Sequence, residues 1–234
     1  MKALILAGGK GVRLRPLTYS IPKPLLPIGE KPILEEIIER LRAQGLRDLI
    51  VAVGYRAELV ETYFRDGAQL GVRIEYVRET QPLGTAGPLS IVRSQCALPD
   101  NEPLLAMNGD ILTDLDMSAL MDAHRAAGND LTVATRQFGL QHPYGVLQIH
   151  DGRITGIREK PTVTDTVSAG VYVIERSALD LVPANAFFDM PDLINALVAA
   201  GRRVGAHAFD GEWLAIDGLD QLEDAARMIA ERNA

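Results

Sequence analysis

Apolar residues in the first 128 positions follow two alternating patterns. Short continuous runs, such as residues 3–7 (ALILA) and 48–53 (DLIVAV), have the length and filling of buried strands. Between the runs, apolar residues recur at the spacing of one helix face, as Ile33, Ile37 and Leu41 do before Gly45. The patterns predict strands at residues 3–7, 48–53, 71–77 and 103–107, and helices at residues 32–44, 56–65 and 118–127, with another after residue 87. Ser118 is the expected cap of the helix that begins there.

This alternation of strand and helix predicts βαβ units. Such units form a mainly parallel sheet with helices on both faces and right-handed crossovers. Ligands of these sheets bind at the carboxyl ends of the strands. The glycine-rich segment 8–11 and the turn 108–110 (NGD) each follow a predicted strand. We therefore expect these two segments to meet at one edge of the sheet.

The second half of the chain has a different pattern. Strands are predicted at residues 131–136, 145–149, 153–158, 167–175, 203–209 and 212–216, and Asp151 with Gly152 predicts a hairpin turn between two of them. Helices are predicted at residues 177–182, 191–200 and 219–231. We expect this half to add strands to the main sheet and to form a small mixed sheet. Without an evident linker or repeat, residues 1–234 are expected to form one domain.

Composition excludes several classes of protein. The hydrophobic content of 47% and charged content of 24% are ordinary for a globular chain. No apolar run approaches the roughly 18 residues of a membrane span, and no signal-peptide pattern precedes the first strand, so we expect no membrane association. The net charge of −7 argues against nucleic-acid binding. The single cysteine, Cys96, favours a reducing compartment, which predicts a cytoplasmic location.

The first 29 residues contain five cations and no acidic residue, although the whole chain is acidic. A glycine-rich turn after a strand lets consecutive backbone N–H groups face an anion, and nearby cations favour phosphate. The P-loop pattern is absent. The dinucleotide fingerprint fails because Leu14 stands where its third glycine belongs. The sequence therefore predicts a phosphate site of another kind.

Residues 6–18 read L-A-G-G-x-G-x-R-L-x-P-L-T and are followed by K-P-x-x-P at residues 23–27. The combined string resembles the signature of the sugar-1-phosphate nucleotidyltransferases, also called nucleotide-sugar pyrophosphorylases, and the resemblance continues to Asp217. It implies an α/β fold of the nucleotide-diphospho-sugar transferase type. That fold is a Rossmann-like, three-layer αβα arrangement with a mainly parallel mixed sheet and a small mixed sugar-binding subregion. Residues 1–128 would be the nucleotide-binding half and residues 129–234 the sugar-binding half.

The resemblance also implies the reaction and its cofactor. Members of the family transfer a nucleotidyl group from an NTP to a sugar 1-phosphate, with Mg²⁺, and release pyrophosphate. The loop at residues 81–87 (QPLGTAG) lines the nucleobase in that family. Its L-G-T-A-G form is most similar to guanylyltransferases that act on mannose-type or heptose 1-phosphates, so GTP is favoured. Cytidylyl, uridylyl and thymidylyl transfer stay open, since related strings occur in uridylyltransferases.

The resemblance assigns roles to individual residues. Arg13 offers a planar fork of donors and Lys23 a compact charge for the phosphates. Asp110 matches the metal-binding Asp of the family, and a carboxylate there suits Mg²⁺, although an Asp in a tight turn is also common without a metal. Lys160 matches the lysine that holds the sugar phosphate. The residues expected to bind the nucleotide are Leu6, Ala7, Gly8, Gly9, Gly11, Gln81, Pro82, Gly84, Thr85 and Asn108. The residues expected to bind the sugar phosphate are Tyr144, Gly145, Glu159, Lys160 and Gly170.

The segment 213–218 (WLAIDG) departs from the pattern of most relatives. They carry a second metal-binding Asp two residues after the Trp, where this chain has Ala215. The W-x-x-x-D arrangement resembles the branch that makes CDP-glucose. Because positions two and four along a strand share a face, we expect Asp217 to be the second metal ligand. A turn Asp that caps the last helix is the competing interpretation.

Two other classes of function are less consistent with the sequence. A non-catalytic relative that senses a nucleotide sugar is favoured only by the Ala215 departure. A dinucleotide-dependent oxidoreductase is disfavoured by the failed fingerprint. The terminal amphipathic helix is compatible with a homodimer.

Overall fold

The structure, a computed structural model, describes residues 2–99 and 102–233. The strands are β1 (Lys2–Ala7), β2 (Pro27–Ile28), β3 (Lys31–Pro32), β4 (Asp48–Val53), β5 (Arg73–Arg78), β6 (Leu104–Asn108), β7 (Ile111–Thr113), β8 (Leu131–Gln141), β9 (Val146–His150), β10 (Arg153–Arg158), β11 (Thr162–Ile174), β12 (Val204–Ala208) and β13 (Trp213–Ala215). The α-helices are α1 (Ile33–Ala43), α2 (Ala57–Phe64), α3 (Pro88–Gln95), α4 (Met117–Ala127), α5 (Met190–Ala199) and α6 (Leu219–Asn233).

Seven strands form the central sheet in the order β12-β8-β11-β6-β1-β4-β5. β11 runs antiparallel to both of its neighbours, β6 and β8. The remaining pairs in the sheet are parallel. The prediction of a mainly parallel mixed sheet is therefore confirmed, and β1 lies near its middle with the carboxyl ends of β4 and β6 on either side.

Helices cover both faces of the sheet. Along β1, Ala3 and Ile5 pack on the face covered by α1, α2, α4 and α6, whereas Leu4 packs on the opposite face with α3 and α5. This two-residue alternation, combined with helices on both sides, gives two apolar cores separated by one sheet. The three-layer αβα architecture expected from the sequence is confirmed.

β8 and β11 are longer than the strands predicted at residues 131–136 and 167–175. They pair from Thr162 opposite Gln141 to Ile174 opposite Leu131, with one irregularity after Ser168. The distal ends, residues 137–141 and 162–166, form an exposed ribbon beyond the core. Hydrogen bonds between strands sustain this ribbon without burial, so its residues lack the apolar run on which the prediction relied.

A separate hairpin, β9–β10, follows the ribbon. Asp151 and Gly152 both have positive φ at its turn, as the Asp-Gly pair predicts. Ile149 lies opposite Ile154 and Leu147 opposite Ile157, so one face of the hairpin is entirely apolar. These four side chains are 47–65% exposed.

Two local predictions are corrected by the structure. Asp116, not Ser118, caps α4: its carboxylate accepts the backbone N–H groups of Ser118 and Ala119 at 2.8 and 3.0 Å. Pro32 lies in β3 with extended backbone, so α1 begins one residue later, at Ile33. The short strands β2, β3 and β7 were not predicted, because two or three residues are too few to show a period.

Candidate active site

A cleft of about 770 Å³ opens at the carboxyl edge of the central sheet. The segments that follow β1, β4, β5 and β6 all reach it, through Gly8, Gly54, Glu79 and Gly109 respectively. The glycine-rich segment and the Asn-Gly-Asp turn therefore meet at one edge, as expected. The lining includes all of the residues expected to bind the nucleotide, namely Leu6, Ala7, Gly8, Gly9, Gly11, Gln81, Pro82, Gly84, Thr85 and Asn108.

Two short 3₁₀ turns carry Arg13 and Lys23, two of the three cations that line the cleft. Gly11 has φ +58° and starts the turn Val12–Leu14 that presents Arg13. The Thr18 hydroxyl donates to the Gly11 carbonyl at 2.8 Å and fixes this conformation. Lys23 starts the second turn, which is held between Pro22 and Leu26. The loop is therefore a chain of tight turns that brings both cations to one cleft.

Lys23 lies between two carboxylates. Its Nζ is 2.5 Å from Asp110 Oδ2 and 3.7 Å from Asp217 Oδ1, and only 14% of its side chain is exposed. Arg13 reaches the same Asp217 oxygen at 3.1 Å, but its own side chain is 74% exposed. The cluster thus contains one shielded ammonium, one solvent-exposed guanidinium and two carboxylates that both contact the Lys23 ammonium.

A tight turn after β13 brings Asp217 into the cleft. β13 ends at Ala215, and buried Ile216 donates its N–H to the Asp110 carbonyl at 2.9 Å. Asp217 N–H then donates to the Ala215 carbonyl, which reverses the chain. The Asp217 carboxylate contacts Arg13 and Lys23, so this residue, not Ala215, supplies the second carboxylate of the cleft.

The loop 81–87 is held by a segment far along the chain. Asp189 Oδ1 accepts from the Thr85 backbone N–H and hydroxyl at 2.8 and 3.1 Å. The Phe188 carbonyl accepts the N–H groups of Ala86 and Gly87 at 2.9 and 2.8 Å. The Thr85 side chain is therefore engaged within the protein, while its backbone lines the cleft. Phe187, the residue before this clamp, lines the cleft and is 64% exposed.

Glu79 lines the cleft and was not found from the sequence. It follows β5, and its Oε2 accepts the Leu83 N–H at 3.1 Å. Burial raises the pKa of the Glu79 carboxyl above its ordinary value, and the Leu83 N–H opposes that shift only in part. An acidic residue directly after a strand on the ligand edge was the available signal, the same one that indicated Asp110.

The residues expected to bind the sugar phosphate lie in two places, one beside the cleft and the others away from it. Gly170 has φ +73° and lies so close to Asn108 that a Cβ on it would be 2.8 Å from the amide nitrogen. The side-chain amide oxygen of Asn108, Oδ1, is buried and lacks a hydrogen-bond partner within the described residues. The residues on the ribbon and hairpin connections lie outside the cleft lining; these are Tyr144, Gly145, Glu159 and Lys160.

The residues present fit a magnesium ion. Within residues 2–99 and 102–233, no group of three or more His, Cys, Asp and Glu side chains could hold a metal ion by itself. Mg²⁺ needs fewer, since it is usually held by one or two carboxylates together with substrate phosphates and water. Asp110 and Asp217 supply two carboxylates within 4 Å of one ammonium, which shows that this point already accommodates a positive charge.

The fold and cleft together define a doubly wound α/β protein with a glycine-rich loop at the carboxyl edge of its sheet. The family model described as nucleotidyl transferase matches residues 2–232. The chain belongs to this family.

Similarity to individual proteins agrees with that assignment. The chain is 36% identical to UTP--glucose-1-phosphate uridylyltransferase of Synechocystis sp., covering 99% of this chain and 64% of that protein. It is 40% identical to mannose-1-phosphate guanyltransferase of Kluyveromyces lactis, covering 78% and 52% respectively. The chain thus spans about half to two thirds of the length of these relatives. Among solved structures, HddC from Yersinia pseudotuberculosis has a TM-score of 0.76 at 23% identity, covering 97% and 99%, which shows a shared fold.

No described helix has the combination of length and apolar character that crossing a membrane requires.

Proposed function

We propose that this protein transfers a nucleotidyl group, preferably guanylyl, from an NTP to a sugar 1-phosphate and releases pyrophosphate. The observation that carries the proposal is the cluster of Lys23, Asp110 and Asp217 beside the glycine loop in one cleft. Family membership supports the same reaction class. A non-catalytic relative would not need to keep two carboxylates and a shielded cation at the phosphate end of the cleft.

The reaction requires little covalent chemistry from the protein. A phosphate oxygen of the sugar 1-phosphate attacks the α-phosphorus in line and pyrophosphate leaves, so positioning and charge neutralisation dominate. The backbone N–H groups of the glycine loop orient the triphosphate. Lys23 and Arg13 stabilise the negative charge that develops on the phosphate oxygens. Arg13, being exposed, can follow the substrate as it binds.

Asp110 and Asp217 are the residues that would hold Mg²⁺. When bound, the ion supplies Lewis-acid stabilisation of the phosphate charges. Lys23 pairs with both carboxylates, so the residues that would hold the ion also place its ammonium at the phosphate end of the cleft.

The proposal assigns the sugar to the second half of the domain. Gly170 lies against the Asn108 side chain at the edge of the cleft and would contact the sugar, whereas Asn108 would contact the nucleotide. Lys160 would hold the sugar phosphate, with the remaining sugar-side contacts from Tyr144, Gly145 and Glu159. These last residues lie outside the cleft lining, on the connections between the ribbon and the β9–β10 hairpin. Residues 1–128 would carry the nucleotide within the single domain.

The named relatives differ in the nucleotidyl group that they transfer. Relatives named as guanylyltransferases and as a uridylyltransferase both match this chain. The alternative function is therefore transfer of a cytidylyl, uridylyl or thymidylyl group to a sugar 1-phosphate.

The proposal also includes a cytoplasmic, homodimeric protein. The single cysteine, Cys96, supports a reducing compartment. It is buried, and burial raises the pKa of its thiol to about 12. The dimer is supported by the outward apolar face of the β9–β10 hairpin. Sedimentation equilibrium tests it, and a monomer at all protein concentrations would refute it.

The experiment that tests the function is pyrophosphate release with Mg²⁺, four NTPs and a panel of sugar 1-phosphates. We expect activity with GTP and a mannose-type or heptose 1-phosphate. The Asp110→Ala variant should lose a factor on the order of 10²–10³ in rate while staying folded. Release with none of the pairs, or an unchanged rate in the folded variant, would refute the proposal.

A further inference from the structure

The Glu79 carboxylate joins the two loops that form the walls of the cleft. Its Oε2 accepts the Leu83 N–H of the loop 81–87 at 3.1 Å. Its Oε1 lies against the glycine loop, because a Cβ added to Gly8 would be only 2.0 Å from that oxygen. The close approach is possible only because residue 8 has no side chain.

The surroundings of Glu79 differ from those of the other carboxylates in the cleft. Asp110 and Asp217 are paired with Lys23, and Asp217 also with Arg13. Glu79 is half-buried, and no ion pair joins it to a cation within the described part of the chain. An ionised carboxylate can accept about four hydrogen bonds. One backbone N–H leaves most of that capacity unused, so the site favours a ligand that brings donors.

The distribution of charge along the cleft sets the direction of a bound nucleotide. All three cations of the lining, Lys10, Arg13 and Lys23, come from the glycine loop and the turns after it. The wall around Glu79 is formed by polar and apolar residues without a cation, including buried Leu83 and exposed Phe187. A nucleotide with its phosphates at the cationic end therefore places its base between the apolar side chains and the Glu79 carboxylate.

The nucleobases present different donors to a carboxylate. Guanine offers its ring N1–H and its N2 amino group side by side on one edge. Adenine and cytosine offer an amino group next to an acceptor nitrogen, and uracil and thymine offer one N–H between two carbonyl acceptors. Only guanine can give a carboxylate two adjacent hydrogen bonds without facing it with an acceptor.

We propose that Glu79 is the residue that selects guanine, by accepting hydrogen bonds from its N1–H and N2 amino groups. The inference deepens the proposed function and rests on it for the orientation of the nucleotide. Gln81, another polar side chain of this wall, donates to the Asn185 carbonyl at 3.0 Å and is engaged within the protein. Glu79 thus supplies a carboxylate at the base end, which can accept from two adjacent donors.

The test is nucleotide binding measured by calorimetry in the absence of sugar phosphate, so that it does not depend on turnover. GTP, ITP and UTP are compared for the wild-type chain and for Glu79→Gln. ITP is the sharpest probe because inosine is guanosine without the N2 amino group. The control is Glu75→Gln, the same change on β5 at a carboxylate that pairs with Lys2 outside the cleft.

We expect the wild-type chain to bind GTP about tenfold more tightly than ITP, and UTP more weakly still. In Glu79→Gln, GTP affinity should fall about tenfold and the ratio of GTP to ITP affinity should approach one, because a carboxamide presents a donor where guanine also has one. Glu75→Gln should keep the wild-type ratio.

Equal binding of GTP and ITP by the wild-type chain would overturn the inference, and this comparison does not require the variant to fold. A folded Glu79→Gln variant that keeps the preference would also overturn it. The outcome is separable from that of the proposed function. Turnover with UTP alone would refute guanine selection but not the reaction class, and selective GTP binding without any pyrophosphate release would do the reverse.

Discussion

Replacing Lys23 with alanine is expected to destabilise the free protein and to slow the reaction. The ammonium is 14% exposed and donates to Asp110 at 2.5 Å, a charged hydrogen bond worth about 1.5–3 kcal/mol. Its contact with Asp217 is longer, 3.7 Å, and that carboxylate is 41% exposed, so it adds less than about 1 kcal/mol. The total loss is about 1.5–4 kcal/mol. In a chain of 234 residues this lowers the melting temperature by roughly 3–16 °C, at about 2–4 °C for each kcal/mol.

Magnesium should reverse part of that loss. Without Lys23, the exposed Arg13 is the remaining ion-pair partner of Asp110 and Asp217 among the described residues, so a divalent cation relieves more repulsion in the variant than in the wild-type chain. We therefore expect Mg²⁺ to raise the melting temperature of Lys23→Ala more than that of the wild type. The rate of pyrophosphate release should still fall by roughly 10²–10³, because the metal cannot replace a donor to the phosphates.

The assay is differential scanning calorimetry with and without Mg²⁺, followed by steady-state kinetics. Lys31→Ala is the control, since Lys31 forms a 2.6 Å ion pair with Glu39 outside the cleft and is 44% exposed. It should change stability by about 1 kcal/mol or less and leave the rate unchanged. Equal Mg²⁺ responses in wild type and Lys23→Ala, or near-normal turnover in the variant, would refute the reasoning.

Two further predictions concern residues outside the ionic cluster. Asp189→Ala removes the acceptor that holds Thr85, so the KM for the NTP should rise about tenfold with little change in kcat. The control is Asp192→Ala, which alters only the cap of α5 and should leave KM unchanged. Equal effects of the two variants on KM would contradict this role of Asp189. Asp130 accepts from Arg202 at 2.6 Å, and that hydrogen bond holds its pKa below the ordinary value. A carboxyl whose pKa is lowered on folding stabilises the folded protein at pH values above its unfolded-state pKa. Asp130→Asn should therefore lower the free energy of unfolding by about 1–2 kcal/mol at neutral pH, and the difference between the variant and the wild type should narrow below about pH 4. A difference that stays constant with pH, measured by chemical denaturation, would contradict this prediction.

The αβα fold could be predicted because burial leaves a periodic record in the sequence. The runs around β1 and β4 and the helical spacing of Ile33, Ile37 and Leu41 agree with the observed elements within one or two residues. The position of the cleft followed from the rule that ligands meet the carboxyl ends of parallel strands. Both inferences depend on local patterns that tertiary contacts did not override.

The features that could not be predicted depend on contacts between distant residues or on surfaces without a core. The ribbon of β8 and β11 is stabilised by paired backbone groups, and its apolar side chains, Phe138, Leu140 and Val163, are exposed and form no continuous apolar run. The anchoring of Thr85 by Asp189 joins loops that no local motif relates. Asp217 was expected on a strand face, whereas a turn after Ala215 directs it to the cleft.

The anchoring of the loop 81–87 has a consequence for how the molecule is made. Gln81 and Thr85 are held by Asn185 and Asp189, each 104 positions later, and Arg13 meets Asp217 only near the end of the chain. Contacts of such sequence separation close large loops and form late in folding. A nascent chain would therefore lack a complete place for a nucleotide until residue 217 has been made. Because a ligand stabilises only the state that binds it, cellular nucleotides would favour finished molecules over incomplete ones.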